Sequence, residues 1–193
     1  MMKTFITEEI NKTCLLLSSF VSNTQLLQCV EDITNRCIAV LRAGHKILFA
    51  GNGGSAADSQ HLAAELVVRL RYSRPALAAI ALTTDTSILT AMSNDYSFDY
   101  IFSRQIEALG QSGDAFIGIS TSGKSKNILE ALCVAKAKGL VTIGFAGQDV
   151  TSMLKFCDHI LSVPASEASK VQEVHITIGH IICTLIEEKL SGN

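Results

Sequence analysis

The chain has 193 residues, 48% of apolar type and 18% charged, with a mean hydropathy of +0.32. That composition excludes a disordered chain, which needs low hydrophobicity and high charge, and the length suits one domain of ordinary size. Lys and Arg number 16 against 18 Asp and Glu, a formal charge of −2, so there is no overall electrostatic drive toward nucleic acid or an anionic membrane.

Two amphipathic helices are expected first, one over residues 4–22 and one in which Leu26, Val30, Ile33, Cys37 and Leu41 recur at three- and four-residue spacing, ended by Gly44. Short apolar runs then alternate with helical stretches. The runs at 46–50, 78–82, 115–119, 141–145 and 159–163 have the character of buried parallel strands. Helices are expected at 54–70, 86–93, 99–109, 125–138 and 150–156, and a long last one at 168–190. The pattern predicts a doubly wound α/β fold with a five-stranded parallel sheet flanked by helices. Nothing marks a second domain, so residues 1–193 are expected to form one, with 1–43 a helical extension and 44–193 the α/β core.

No segment approaches the roughly 20 apolar residues of a membrane-spanning helix. Glu8 and Glu9 interrupt the basic-then-apolar layout of a signal peptide, so a cytoplasmic protein is expected. The six cysteines, Cys14, Cys29, Cys37, Cys133, Cys157 and Cys183, contain no CxxC pair and are expected to be small core residues. High hydropathy without a membrane span implies apolar surface covered by partner subunits.

In open parallel sheets ligands bind beyond the carboxyl ends of the strands. After the first strand stands Gly51-Asn52-Gly53-Gly54-Ser55-Ala56-Ala57, leading directly into a helix. After the third stands Ser120-Thr121-Ser122-Gly123-Lys124-Ser125, which again opens a helix. Glycines admit close approach of a ligand, and hydroxyls with free helix-start amides suit an anion. The alternative makes the hydroxyls helix caps and Gly53 and Gly54 a tight turn. Two such loops at one sheet edge favour ligand binding. Neither has Walker or GxGxxG spacing, which points to the phosphate of a small metabolite.

His61 and Glu65, four residues apart, share a helix face, which Arg69 continues. Gln172 and His180, eight apart on the last helix, differ by about 80° and can lean toward one site. Together the four make a divalent-metal set with glutamine as a weak member; the competing reading is a surface pair and a satisfied core histidine. His45 is expected to cap the second helix, His159 to begin a strand and His175 to be structural or at an interface. Arg69, Arg71 and Arg74 form a solvated face, a subunit contact or a phosphate contact. Asn94 and Asp95 bind sugar hydroxyls or cap the following helix.

Taken together, Gly51 to His61, Ala64-Glu65, Ala81 to Thr86, Asn94-Asp95-Tyr96, Ile119 to Gly123 and Val171-Gln172-Glu173 with His180 resemble the sugar isomerase (SIS) domain family, and within it the phosphoheptose isomerases, over nearly the whole chain. The resemblance implies a flavodoxin-like SIS fold whose N-terminal helices pack in a cytoplasmic homotetramer with active sites between subunits. It implies conversion of sedoheptulose 7-phosphate to D-glycero-D-manno-heptose 7-phosphate, the first step of bacterial heptose synthesis for lipopolysaccharide or related glycans. Residue by residue, it gives Ser120, Thr121, Ser122 and Ser125 to the phosphate and Asn52, Gly53, Gly54, Glu65, Asn94, Asp95 and Gln172 to the substrate. His61, Glu65, Gln172 and His180 become ligands of one Zn2+ per subunit, and Glu65 and His180 the acid and base. Lys124 and Lys170 depart from the small amide and the arginine common at those positions. The competing reading is a non-catalytic SIS protein that binds a protein partner such as the replication initiator. That relative lacks the acidic and imidazole groups which Glu65 and His180 supply here.

Overall fold

The computed structural model describes residues 1–191. Five parallel strands, β1 (Ile47–Gly51), β2 (Ala79–Ala81), β3 (Ala115–Ser120), β4 (Val141–Ala146) and β5 (His159–Ser162), form one sheet in the order β2-β1-β3-β4-β5. Among the described residues the helices are α1 (Met2–Val21), α2 (Thr24–Arg42), α3 (Gly54–Val67), α4 (Thr86–Asp95), α5 (Ser103–Leu109), α6 (Lys126–Ala137) and α7 (Ala168–Leu190). The α/β class and the five strands agree with the expectation.

Side-chain alternation along the strands explains the two layers. Ile47 and Phe49 of β1 and Ile117 and Ile119 of β3 face one core, filled by Ile33 and Cys37 of α2, Leu62 and Leu66 of α3, and Val174, Ile178 and Ile182 of α7. Leu48 and Phe116 face the other, with Phe102, Ile106 of α5, and Ile128 and Leu132 of α6. Burial of each such side chain contributes about 1.5–3 kcal/mol. Strands β1 and β3 are buried along their whole length, while the edge strands β2 and β5 are short.

Three predicted helices are altered. Residues 150–156 form turns, because the amides of Met153 and Leu154 both bond to Val150 O and those of Phe156 and Cys157 to Met153 O, leaving no continuous four-residue pattern. The stretch 99–109 divides into a 3₁₀ turn at Phe98–Tyr100 and α5. Helix α3 stops at Val67, short of 70, because the Arg74 guanidinium bonds the carbonyls of Glu65 (2.8 Å) and Leu66 (2.8 Å). Arg69 therefore lies beyond the helix and does not continue its face.

The chain steps from β1 outward to β2 and returns on the other side of β1 to β3, so the strand order reverses between β1 and β3. A crevice opens at such a reversal, and the loops after β1 and β3 both leave from it. The register places Gly51 beside Ile119 and Ser120 beside Ala146 at this edge.

Candidate active site

Helices α3 and α7 lie side by side and in step. The Gln172 amide lies over Gly54, where a Cβ would come within 2.8 Å of it. About two turns further on, a Cβ at Gly179 would meet Leu62 at 2.7 Å, so only glycine lets the helices approach this closely. Beyond that, the Glu187 carboxylate accepts from the amides of Leu70 (3.0 Å) and Arg71 (2.7 Å) and from Arg74 Nε (3.1 Å). The side chains of Arg74 and Glu187 are 2% and 0% exposed. Burial raises the Glu187 pKa, and the amides with Arg74 outweigh it, so the carboxyl lies below its usual range.

These contacts bring His61, Glu65 and His180 together. His61 Nε2 lies 2.8 Å from His180 Nε2 and 3.1 Å from Glu65 Oε1. The imidazoles meet edge to face with centroids 4.9 Å apart. His61 is half exposed at 51% of its side chain and Glu65 is largely covered at 18%. A neutral His61 carries at most one hydrogen on Nε2, yet two lone-pair donors face that atom.

Gln172 does not share this cluster within the chain. Its amide nitrogen makes a long 3.5 Å contact with Ser55 Oγ. His61 lies six residues further along α3, about 9 Å at 1.5 Å per residue. Gln172 and His180, close in angle, are likewise separated by a rise of about 12 Å along α7.

At the end of β3 the hydroxyls form a compact loop. Ser120 Oγ donates to Ser125 Oγ (2.9 Å) and accepts from Ser125 N (3.3 Å), while Ser122 Oγ accepts from Lys124 N (3.2 Å). Thr121 O accepts from Gly147 N (3.0 Å), joining this loop to the end of β4. Ser125 stands at the N-cap of α6 without a side-chain capping bond, and the N-cap of α3 is Gly53, which has no side chain to cap it. By contrast, Asn23 and Asp85 cap α2 and α4 with their side chains. The capping alternative thus fails for Ser125, and both helix starts at the crevice keep amides of the kind that bind anions. Lys124 Nζ is held 2.8 Å from Asp149 Oδ2, and chiefly through this bond Asp149 is lowered to about 2.

Asn52 follows β1 and pairs with Asn127 through two amide bonds of 2.9 Å. Gly53 and Gly54 are exposed beside it. Asn94 and Asp95 end α4, both exposed, with Asn94 Nδ2 2.8 Å from Asp95 Oδ1. Ser97 caps the following 3₁₀ turn, so Asn94 and Asp95 do not.

Of the other assignments, some hold and some change. His45 caps α2 as expected, its backbone N–H bonding Val40 O (3.1 Å) beyond Gly44, and its ring faces Asp114 at 3.5 Å, while His175 is structural: it is buried, with Nε2 donating to Ala146 O at 3.1 Å. Arg69 and Arg71 are exposed, whereas Arg74 is an internal clamp. Only Cys37 and Cys183 are buried; Cys29 and Cys157 are half-buried and Cys14 and Cys133 exposed. Sequence reading gave Arg74 other roles and missed Asn127 and Glu187. A signal existed for the last: Glu187 stands four residues after Cys183 on the apolar stripe of α7.

The residues fit a divalent cation. One lone-pair atom from each of His61, Glu65 and His180 lies within 4.8 Å of the others, a two-histidine, one-carboxylate set of the composition that holds catalytic zinc with an open position. Asp58, one turn before His61, keeps a buried Oδ2 without a partner. Burial pushes the Asp58 carboxyl up against the pull of His61 and His180, and its unpartnered oxygen is a further lone-pair atom near the two imidazoles.

Residues 15–147 match the SIS domain family. The phosphoheptose isomerase of Sulfurimonas denitrificans is 49% identical over 192 residues, covering 100% of this chain and 98% of that protein. The chain belongs to the phosphoheptose isomerase family of SIS domain proteins. Solved structures of family members agree in fold. The phosphoheptose isomerase of Neisseria gonorrhoeae superposes with a TM-score of 0.91 at 36% identity, over 97% of this chain and 100% of that one. That of Francisella tularensis gives 0.92 at 30% identity, over 97% and 99%.

Proposed function

We propose that this protein is an aldose–ketose isomerase that converts sedoheptulose 7-phosphate to D-glycero-D-manno-heptose 7-phosphate. The reading rests on one observation: in a chain 49% identical to a phosphoheptose isomerase, a carboxylate and two imidazoles converge on the face of α3 that starts from the crevice. Moving a carbonyl from C2 to C1 needs a base to take the C1 proton, an enediolate in which the hydroxyl proton passes from O1 to O2, and an acid to return a proton at C2.

Glu65 serves as the base. Its Oε1 faces His61 and its other oxygen takes the proton. His180, whose Nε2 faces His61, acts as the partner acid through its other ring nitrogen. Ser120, Thr121, Ser122 and Ser125 hold the phosphate with the first amides of α6, fixing the reacting carbons relative to Glu65. Asn52, Gly53, Gly54, Asn94, Asp95 and Gln172 contact the sugar.

His61, Glu65 and His180 hold a zinc ion, which when bound polarises the carbonyl and stabilises charge on the adjacent oxygens. Gln172 joins this set only from a neighbouring protomer, since the amide of the same chain stands too far along α3. A homotetramer with sites between subunits is supported by the exposed Phe5 and Ile10 of α1. It is supported also by an apolar groove of about 400 Å³ between α2 and α7, lined by Leu27, Val30, Ile38, Ile178, Ile181 and Leu185. No helix among the described residues is long and apolar enough to cross a membrane. In this reading the protein is a cytoplasmic enzyme of heptose synthesis built as one SIS domain over residues 1–193.

Proton NMR of sedoheptulose 7-phosphate with the zinc-loaded protein tests the reading. The aldose anomeric signal should grow to an equilibrium level, and its absence would overturn the assignment.

A further inference from the structure

We infer that Asn127 is a positioning residue for the sugar, acting through Asn52; the inference rests on the isomerase reading of this site. Asn127 is the second residue of α6, immediately after the hydroxyl loop, and is 2% exposed. A buried amide needs partners, and Asn127 finds them in one side chain: its Nδ2 donates to Asn52 Oδ1 and its Oδ1 accepts from Asn52 Nδ2, each at 2.9 Å.

The pair joins the loop after β1 to the first turn of α6. Asn52 belongs to the glycine loop after β1, and Asn127 belongs to the helix whose start carries the anion loop. An amide has two N–H groups and two lone pairs, so after pairing Asn52 still has one of each. Asn52 is half-buried and follows β1 directly at the crevice, the position from which this remaining half would meet a sugar. Turning both amides over preserves the pair, so the constraint fixes where the Asn52 head stands while leaving it able to present donor or acceptor to a sugar hydroxyl. The anion loop and the sugar-contacting loop thereby hold one spacing before substrate arrives, the condition for an anchored phosphate to place the far end of a sugar chain.

A double-mutant cycle over Asn52→Ala and Asn127→Ala tests this, read by kcat and KM for sedoheptulose 7-phosphate and by calorimetric affinity for that sugar and for inorganic phosphate. The expected result is a KM raised roughly tenfold by Asn127→Ala. Phosphate affinity should stay within about twofold, and the substitution should add nothing in the Asn52→Ala background. Equal weakening of phosphate and sugar phosphate, or the full effect persisting without Asn52, would reduce Asn127 to a scaffold of α6. Should Asn127→Ala fail to fold, Asn127→Leu, which fills the same space without the amide, enters the cycle instead. A wild type that binds the sugar phosphate without turnover removes the isomerase reading, and the cycle is then decided on affinity. One that does not bind it overturns both.

Discussion

Gly179 of α7 packs so closely on Leu62 of α3 that a Cβ at the glycine would stand 2.7 Å from a leucine methyl. His180 is the next residue and His61 precedes Leu62, so the contact that seats the helices also sets the distance between the imidazoles. Gly179→Val should lower stability by about 2 kcal/mol, the range for overpacking a core, and lower kcat as well. Urea unfolding with kinetics on the folded fraction checks both; unchanged stability and turnover would show that the close approach is unimportant.

The buried Arg74–Glu187 pair fixes the far end of the same helix pair. Glu187→Ala leaves the guanidinium buried without its carboxylate and frees the amides of Leu70 and Arg71. Breaking such a pair from one side costs about 3–5 kcal/mol, and denaturant midpoints should show a loss of that size. A loss below about 0.5 kcal/mol, as for exposed ion pairs, would contradict the clamp.

His175 predicts a pH dependence of stability. Burial lowers its pKa to about 4, against the opposing effect of its bond to Ala146 O, so it stays neutral in the fold. Since the Nε2 hydrogen faces a carbonyl, the buried Nδ1 without a partner is the bare nitrogen. The unfolded chain takes up a proton near pH 6.5 while the native chain does not, so the unfolded state binds more protons between about 6.5 and 4 and stability is lost as pH falls through that window. Between pH 7 and 5 this group should remove about 2 kcal/mol. Denaturant titrations at both pH values should show that slope in the wild type and its loss in His175→Gln. Equal slopes would contradict a neutral buried imidazole.

Zinc added to the chelated protein should raise the melting temperature with the logarithm of free metal, because binding to the native state alone stabilises it. His61→Ala and His180→Ala should each abolish the rise while folding normally. A shift that survives in both variants would place the ion elsewhere.

The five strands were legible because each is a short apolar run between turn residues, and α3 because its glycine start and four-residue spacing are local signals. His61 and Glu65 could be paired by that spacing alone. What joins them to His180 was not legible, since it depends on the close approach at Gly179 and the register of α3 against α7. Gln172 was misplaced within the chain because angular position was considered without the rise along the helix. Arg74 and Glu187 belong to types read as solvated in sequence, and only the fold shows each burying the other. Asn127 resembles any first-turn asparagine until the loop after β1 is brought beside it. The segment 150–156 has helical apolar spacing but lacks the length to sustain a helix against local turns.

The central claim is that Glu65 transfers the substrate proton. Isomerisation of sedoheptulose 7-phosphate in D2O by zinc-loaded wild type and Glu65→Gln, followed by NMR, tests it most directly. The account predicts deuterium at C2 of the wild-type product and turnover reduced about 10²–10⁴-fold in a folded Glu65→Gln protein, the range for loss of a general base. Near-native turnover by that folded variant would contradict it.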